Sequence, residues 1–101
     1  MYAIVARFKI KDGTHDQVLG AFREHIAPAL KGEHGFVRNS VAYDADRCTL
    51  HIFQEWETKE DADAHASGPE EAERLSHIAE YFNGEPEMAV CGVSSVLTPR
   101  G

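Results

Sequence analysis

The chain has 101 residues, of which 43% are hydrophobic and 27% are charged, values that are ordinary for a globular protein. This length predicts one domain over residues 1–101, and the formal net charge of -7 argues against nucleic acid or an anionic membrane as the main partner. No apolar run approaches the roughly 20 residues that a membrane span needs.

The first third of the chain predicts a strand followed by a helix. Residues 2–10 alternate between apolar and polar side chains, which is typical of a half-buried strand, and an Asp-Gly pair at 12–13 ends it. Thr14 and Gln17 have the spacing of a capping box, and Pro28 is expected to kink or shorten the helix that follows. The helix has one apolar stripe, made of Val18, Leu19, Phe22, Ile26 and Leu30.

Two further strands are predicted at Phe36–Tyr43 and Cys48–Trp56, with residues 44–47 as a hairpin turn between them. Thr58 and Asp61 repeat the capping pattern and begin a short helix that reaches about residue 67. The pair at 68–69, Gly-Pro, should break this helix and begin another. The apolar stripe expected on that last helix consists of Ala72, Leu75, Ile78, Ala79 and Phe82.

The order of these elements predicts an α+β fold of the ferredoxin-like βαββαβ type. Such a fold has a four-stranded antiparallel sheet with its helices on one face. The last strand, expected at Met88–Leu97, is apolar on both sides, and no segment remains to cover its second side. We therefore expect a homodimer in which two sheets face each other, that is, a dimeric α+β barrel.

One corner of this fold carries residues suited to a pocket. Trp56 ends the third strand, and His65 follows nine residues later on the next helix. Tryptophan is the largest apolar side chain and needs a partner for its indole N–H, while histidine titrates near neutral pH. The alternatives are a tryptophan that belongs to the core and a histidine that only packs at the helix corner.

This segment resembles the antibiotic biosynthesis monooxygenase family, whose members commonly have Glu-x-Trp at the end of the third strand. A histidine nine residues beyond the Trp and a serine soon after complete that pattern, and Trp56, His65 and Ser67 match it. Gln54 stands where the family usually has Glu, and Glu70 and Glu71 stand near an expected His-Phe pair. The family is described as quinol or anthrone monooxygenases that need no cofactor.

The resemblance implies a cofactor-free monooxygenase that oxidises a small hydroxylated aromatic with molecular oxygen. His65 is then the candidate catalytic base, with Trp56 and Phe53 as pocket walls. Two other functions stay open: an isomerase on the same scaffold, and a non-catalytic protein that binds a hydrophobic metabolite or serves in a stress response.

Three more residues are candidates for substrate binding. Arg7 and Arg38 have the charge to hold an acidic phenol or enolate, although a surface salt bridge is the plainer interpretation of each. His51 shares a strand face with Phe53 and either lines the pocket or packs across strands.

The sequence offers no signature for a metal or a bound cofactor. Its two cysteines, Cys48 and Cys91, form no C-x-x-C pair, and the histidines lack metal-ligand spacing. Two thiols and a strand that begins at once, without a secretory signal, favour a cytoplasmic location.

Overall fold

Four strands form one antiparallel sheet in the computed structural model of the protein, which describes residues 1–100. The strands are β1 Tyr2–Lys9, β2 Phe36–Asp44, β3 Thr49–Trp56 and β4 Glu87–Gly92. Their order across the sheet is β2-β3-β1-β4, and every neighbouring pair is antiparallel. The predicted α+β class and ferredoxin-like topology are therefore confirmed.

The helices cover one face of this sheet and leave the other uncovered. Along β1, Ile4, Ala6 and Phe8 are buried beneath the helices, whereas Val5 and Arg7 point the opposite way and are exposed. Helical side chains complete the core in two clusters, Val18 against Phe8 in one and Leu30 against Ile4 in the other. We call the uncovered side of the sheet the open face.

The first helical segment contains one widened turn. It consists of α1 His15–Ala21, a π-helical turn Phe22–Ile26 and α2 Ala27–Lys31. The N–H of Ala27 bonds to the carbonyl of Phe22, five residues back, just before Pro28. A proline ring clashes with the carbonyl four residues back in a regular α-helix, and a wider turn before Pro28 avoids that clash. The helical segment continues past Pro28 to Lys31, so the expected disturbance takes the form of a π-helical turn.

The predicted capping pattern holds at one helix and not at the other. At α3, Lys59–Ser67, the Thr58 hydroxyl accepts a hydrogen bond from the N–H of Asp61 at 3.1 Å. At α1, the Thr14 hydroxyl instead donates to the carbonyl of Lys11, so the predicted capping box there is wrong.

Residues 68–69 break the second helical segment as predicted, and α4 runs from Pro69 to Ser76. A 3₁₀ turn follows at Ala79–Tyr81. The apolar stripe expected here is only partly correct, because Ala72 and Ala79 are exposed while Ile78 is buried. The early end of α4 turns the chain away before the stripe is complete.

The last strand is shorter than expected. It ends at Gly92, which pairs with Tyr2, the first residue of β1. Val96 and Leu97 are consequently exposed rather than in the sheet. Among residues 1–100, no helix has the length and apolar character needed to cross a membrane.

Candidate active site

Trp56 stands at the centre of a buried corner between the sheet and the helices. Its side chain is fully buried, and its indole N–H donates to Oε1 of Gln54 at 2.9 Å. The amide nitrogen of Gln54 in turn donates to Oδ1 of Asn39, on the neighbouring strand, at 3.2 Å. The tryptophan is thus fixed by packing and by a short chain of hydrogen bonds.

His65 lies on α3 directly against this tryptophan. The two rings are 4.9 Å apart between centroids, and His65 is itself buried. Its Nδ1 lies 2.6 Å from Oε2 of Glu33, in the loop between α2 and β2. Its Nε2 lies 3.0 Å from Oε2 of Glu71, on α4. Both ring nitrogens therefore face carboxylates that come from other parts of the chain.

Arg74 completes a charge network with these three residues. Its guanidinium donates to Oε1 of Glu33 at 2.6 Å and lies 3.7 Å from Oε2 of Glu71. We call Glu33, His65, Glu71 and Arg74 the charge network. Its charges balance when His65 is protonated, which allows four ionisable groups to be largely buried together.

The charge network decides the protonation of His65. Burial by itself lowers the pKa of this imidazole, but the contact with Glu71 and then the contact with Glu33 outweigh it and raise the pKa above its usual 6.5. The imidazolium form consequently persists to a higher pH than in an isolated histidine. A neutral His65 that keeps its proton on Nδ1 would donate a hydrogen bond to Glu33 and leave Nε2 unprotonated.

A small apolar cavity adjoins this corner. Its volume is about 40 Å³, and its polar lining consists of Asn39, Gln54, His65 and Glu71. The rest of the wall is apolar and includes Phe22 of the π-helical turn and Leu75 of α4. Such a volume holds about one water molecule, so the pocket is nearly closed in this conformation.

The six residues predicted for the site do not lie together. Trp56 and His65 meet beneath the helices, whereas the other four, Phe53, Arg7, Arg38 and His51, lie on the open face. Alternation along β3 explains the separation, because residues 51 and 53 point away from residue 56.

Both predicted arginines are already paired with carboxylates on the open face. Arg7 binds Glu87 of β4, and Arg38 binds the buried Glu55 of β3. These are the salt bridges that the plainer interpretation anticipated, and they leave neither guanidinium free near His65.

A second and larger groove, of about 570 Å³, lies on the open face. Charged side chains such as Lys9, Asp44 and Arg47 line it alongside Arg7 and His51. An aromatic substrate that must be shielded from water requires an apolar enclosure with few polar groups. We therefore take the smaller cavity beside His65 as the candidate active site.

Sequence reasoning did not identify the partners of His65. Glu71 belongs to an acidic stretch with Glu70 and Glu73, yet its side chain is only 13% exposed. The i, i+3 spacing of Glu71 and Arg74 was one available signal. Gln54, a polar residue at an inward position of β3, was the corresponding signal for the partner of Trp56.

Within residues 1–100, no group of three or more His, Cys, Asp or Glu side chains is arranged to hold a metal ion. The charge network has two carboxylates and an imidazole, but they are directed at one another and at Arg74.

Comparison with known proteins points to one family. The sequence profile described as antibiotic biosynthesis monooxygenase matches residues 1–73. A comparison with curated protein sequences gives no match.

Solved structures with the same fold are numerous. The structure of a monooxygenase from the gene ActVA-Orf6 of Streptomyces coelicolor, in complex with the ligand nanaomycin D, superposes with a TM-score of 0.82 at 14% identity, over 97% of this chain and 91% of that one. The structure of SnoaB, a cofactor-independent oxygenase from Streptomyces nogalater, superposes with a TM-score of 0.77 at 14% identity, over 95% of each chain. At these identities, the likeness establishes the fold.

Proposed function

This chain belongs to the antibiotic biosynthesis monooxygenase family, and on that premise we propose that it oxidises a small hydroxylated aromatic with molecular oxygen and without a cofactor. A quinol or an anthrone is the substrate class that we assign. The observation that carries the proposal is His65, which lines the polar corner of an otherwise apolar cavity and packs against the buried Trp56 behind it.

The proposed chemistry needs no flavin or metal because the substrate supplies the electrons. A base first removes an acidic proton from the substrate, which leaves an electron-rich anion. One electron passes from this anion to oxygen, and the resulting radical pair combines to form a carbon–oxygen bond. Loss of water from the peroxide then gives the quinone, so an anthrone and O2 yield an anthraquinone and H2O.

His65 is the base in this proposal. Neutral His65 would donate a hydrogen bond from Nδ1–H to Oε2 of Glu33, at 2.6 Å, and direct the lone pair of Nε2 at the substrate. Glu33 would thereby select the tautomer, as the carboxylate does in other histidine-based sites. Because the pKa of His65 is raised by Glu71 and Glu33 despite its burial, kcat/KM should increase with pH through a midpoint above 6.5.

Oxygen consumption tests this function directly. Purified protein, treated with a chelator, is supplied with a panel of quinols and anthrones and compared with buffer alone. His65→Ala should reduce the enzymatic rate by about 10²–10⁴-fold, the usual contribution of a general base. His34→Ala is the matched control, because His34 is also close to α3 but its side chain is 91% exposed.

The two outcomes separate the competing functions. Turnover in the wild type and in His34→Ala, with its loss in a folded His65→Ala protein, supports the proposal. Absence of oxygen consumption over the whole panel contradicts it, and leaves the isomerase and the non-catalytic binding protein as the remaining functions.

We also propose that the protein works as a homodimer in which two open faces pack together. Val5 and Phe53 are partners across β1 and β3 on that face, and each is about 40% exposed. Exposed apolar side chains that are neighbours on a sheet, such as this apolar row of Val5 and Phe53, favour packing against another protein surface. The groove around Arg7 and His51 would then lie near the interface, outside the pocket.

A further inference from the structure

The contact between His65 and Glu71 lacks the hydrogen-bond geometry that the contacts of Glu33 have. Nε2 and Oε2 are only 3.0 Å apart, yet Oε2 of Glu71 is buried and accepts no hydrogen bond from any residue in 1–100. By contrast, both oxygens of Glu33 have partners at 2.6 Å. A buried carboxylate oxygen without a hydrogen bond is unfavourable, so Glu71 is a replaceable partner for His65.

Glu71 also occupies the place where an acidic ligand would meet His65. Both residues line the apolar cavity, with Phe22 and Leu75 forming part of the remaining wall. An aromatic ring in this cavity would carry its acidic oxygen toward the polar corner. The carboxylate of Glu71 already presents an anionic oxygen to Nε2 at that corner.

The helix that carries Glu71 is attached to the protein mainly by polar contacts. None of the residues of α4 is fully buried, and the preceding Gly68 is extended rather than helical. Glu71 and Arg74 bind the rest of the charge network, while Leu75 provides apolar packing. Because the cavity of about 40 Å³ is too small for an aromatic ring, part of its wall has to move to admit one, and α4 is the wall element that is held mainly by polar contacts.

From these observations, we propose that Glu71 occupies the substrate's anion position in the closed pocket, and that a ring bearing an acidic oxygen replaces it when α4 moves. The inference rests on the proposed function, since it concerns the same pocket. The predicted ligands are therefore aromatic anions, and aromatic rings with a hydroxyl group that becomes an anion by giving its proton to His65. A neutral ring would expel Glu71 without giving His65 a new partner.

Binding of a matched pair of probes tests this inference without turnover. The probes are 2-naphthoate, an aromatic anion, and 2-naphthamide, its neutral counterpart, measured by calorimetry. Glu71→Ala should bind 2-naphthoate about tenfold or more tightly than the wild type, because the competing carboxylate is gone. The same substitution should increase the affinity for 2-naphthamide much less. Glu70→Ala is the control, since Glu70 is adjacent on α4 but does not contact His65.

A second variant and a second measurement guard against a folding defect. Glu71→Gln keeps the size of the side chain and should also bind 2-naphthoate more tightly than the wild type, but with a smaller increase in affinity than Glu71→Ala. Nitrogen NMR of His65 should show its pKa fall in Glu71→Ala and rise again when 2-naphthoate is added. That rise would place the probe's anion at His65.

Several results would overturn the inference. These are equal affinity of the wild type and Glu71→Ala for 2-naphthoate, an equal gain for both probes, or a His65 titration that the probe leaves unchanged. The outcome is independent of oxygen chemistry. Probe binding with the expected pattern but without oxygen consumption would reject the monooxygenase function alone.

Discussion

At the scale of single residues, His65 has a structural role and, in the function that we propose, a chemical one. Two carboxylates surround its ring, and Trp56 packs against it. The imidazolium form joins α3, α4 and the loop after α2, whereas the neutral form would be the base of the proposed reaction. Under that proposal, the protein loses part of one stabilising interaction when it gains a reactive group.

This dual role predicts a pH-dependent stability. Burial is opposed and exceeded by Glu71 and Glu33, so the folded pKa of His65 is raised above the unfolded value near 6.5. The stabilisation is fully present below 6.5 and is lost as pH rises through the folded pKa. His65→Gln should cost up to roughly 3–5 kcal/mol at acidic pH, where it breaks a buried ion pair, and clearly less at alkaline pH.

Urea unfolding of the two proteins across that pH range measures the difference. The control is the same comparison in a Glu33→Gln, Glu71→Gln background, where the pH dependence should largely disappear. A cost of His65→Gln that stays constant with pH would show that the imidazolium is not stabilised by these carboxylates.

At the scale of elements, the loop between α2 and β2 positions Glu33 for the charge network. Gly35, at the end of this loop, has φ +80, and a side chain there would overlap the carboxylate of Asp61. Its carbonyl accepts a hydrogen bond from the N–H of Glu57 at 2.8 Å. Glycine is required at this position both for its backbone conformation and for the close approach of α3.

Gly35→Ala should therefore destabilise the protein more than Gly13→Ala. Gly13 has nearly the same conformation, φ +76, but open space around it. The conformational cost of roughly 1–2 kcal/mol applies to both, and steric overlap adds roughly 1–3 kcal/mol at Gly35. Thermal or urea unfolding of both variants gives the comparison. Equal losses would mean that Asp61 moves aside freely.

At the scale of the whole molecule, the open face is the side of the sheet that no helix covers. The helices bury one side of the sheet, while Val5 and Phe53 remain exposed on the other. Glu55 is buried on that side beneath Arg38, so the face combines apolar and charged groups. We expect this face to pack against its copy, with apolar contacts at the centre and ion pairs toward the edge.

If the proposed homodimer forms, light scattering at micromolar concentration should give twice the mass of one chain, which is 11.2 kDa. Phe53→Glu should reduce the mass to that of the monomer, because it places a charge within the apolar row. Ala29→Glu, on an exposed position of α2, is the control and should leave the mass unchanged. A wild-type mass near 11.2 kDa across the concentration range would contradict the dimer.

Local patterns explain how much of the fold could be predicted. Some features depend only on residues close together in the chain, so the sequence predicts them. These are the alternation along β1 and β3, the hairpin turn and the break at Gly68-Pro69. Other features were not predicted correctly. The end of β4 depends on its pairing, since its last residue lies opposite the first residue of β1. The π-helical turn before Pro28 is local, but no simple spacing rule indicates it.

The sequence by itself determined the topology of the sheet and the pairing of Trp56 with His65, because both follow from periodicity and from short separations along the chain. Only the tertiary structure decided the surroundings of His65. Glu33 and Glu71 lie 32 residues before it and six after it, and they meet its ring only when the α2–β2 loop and α4 pack against α3. Two carboxylates from different segments share one imidazole because of how those segments pack. Composition and periodicity do not record this packing.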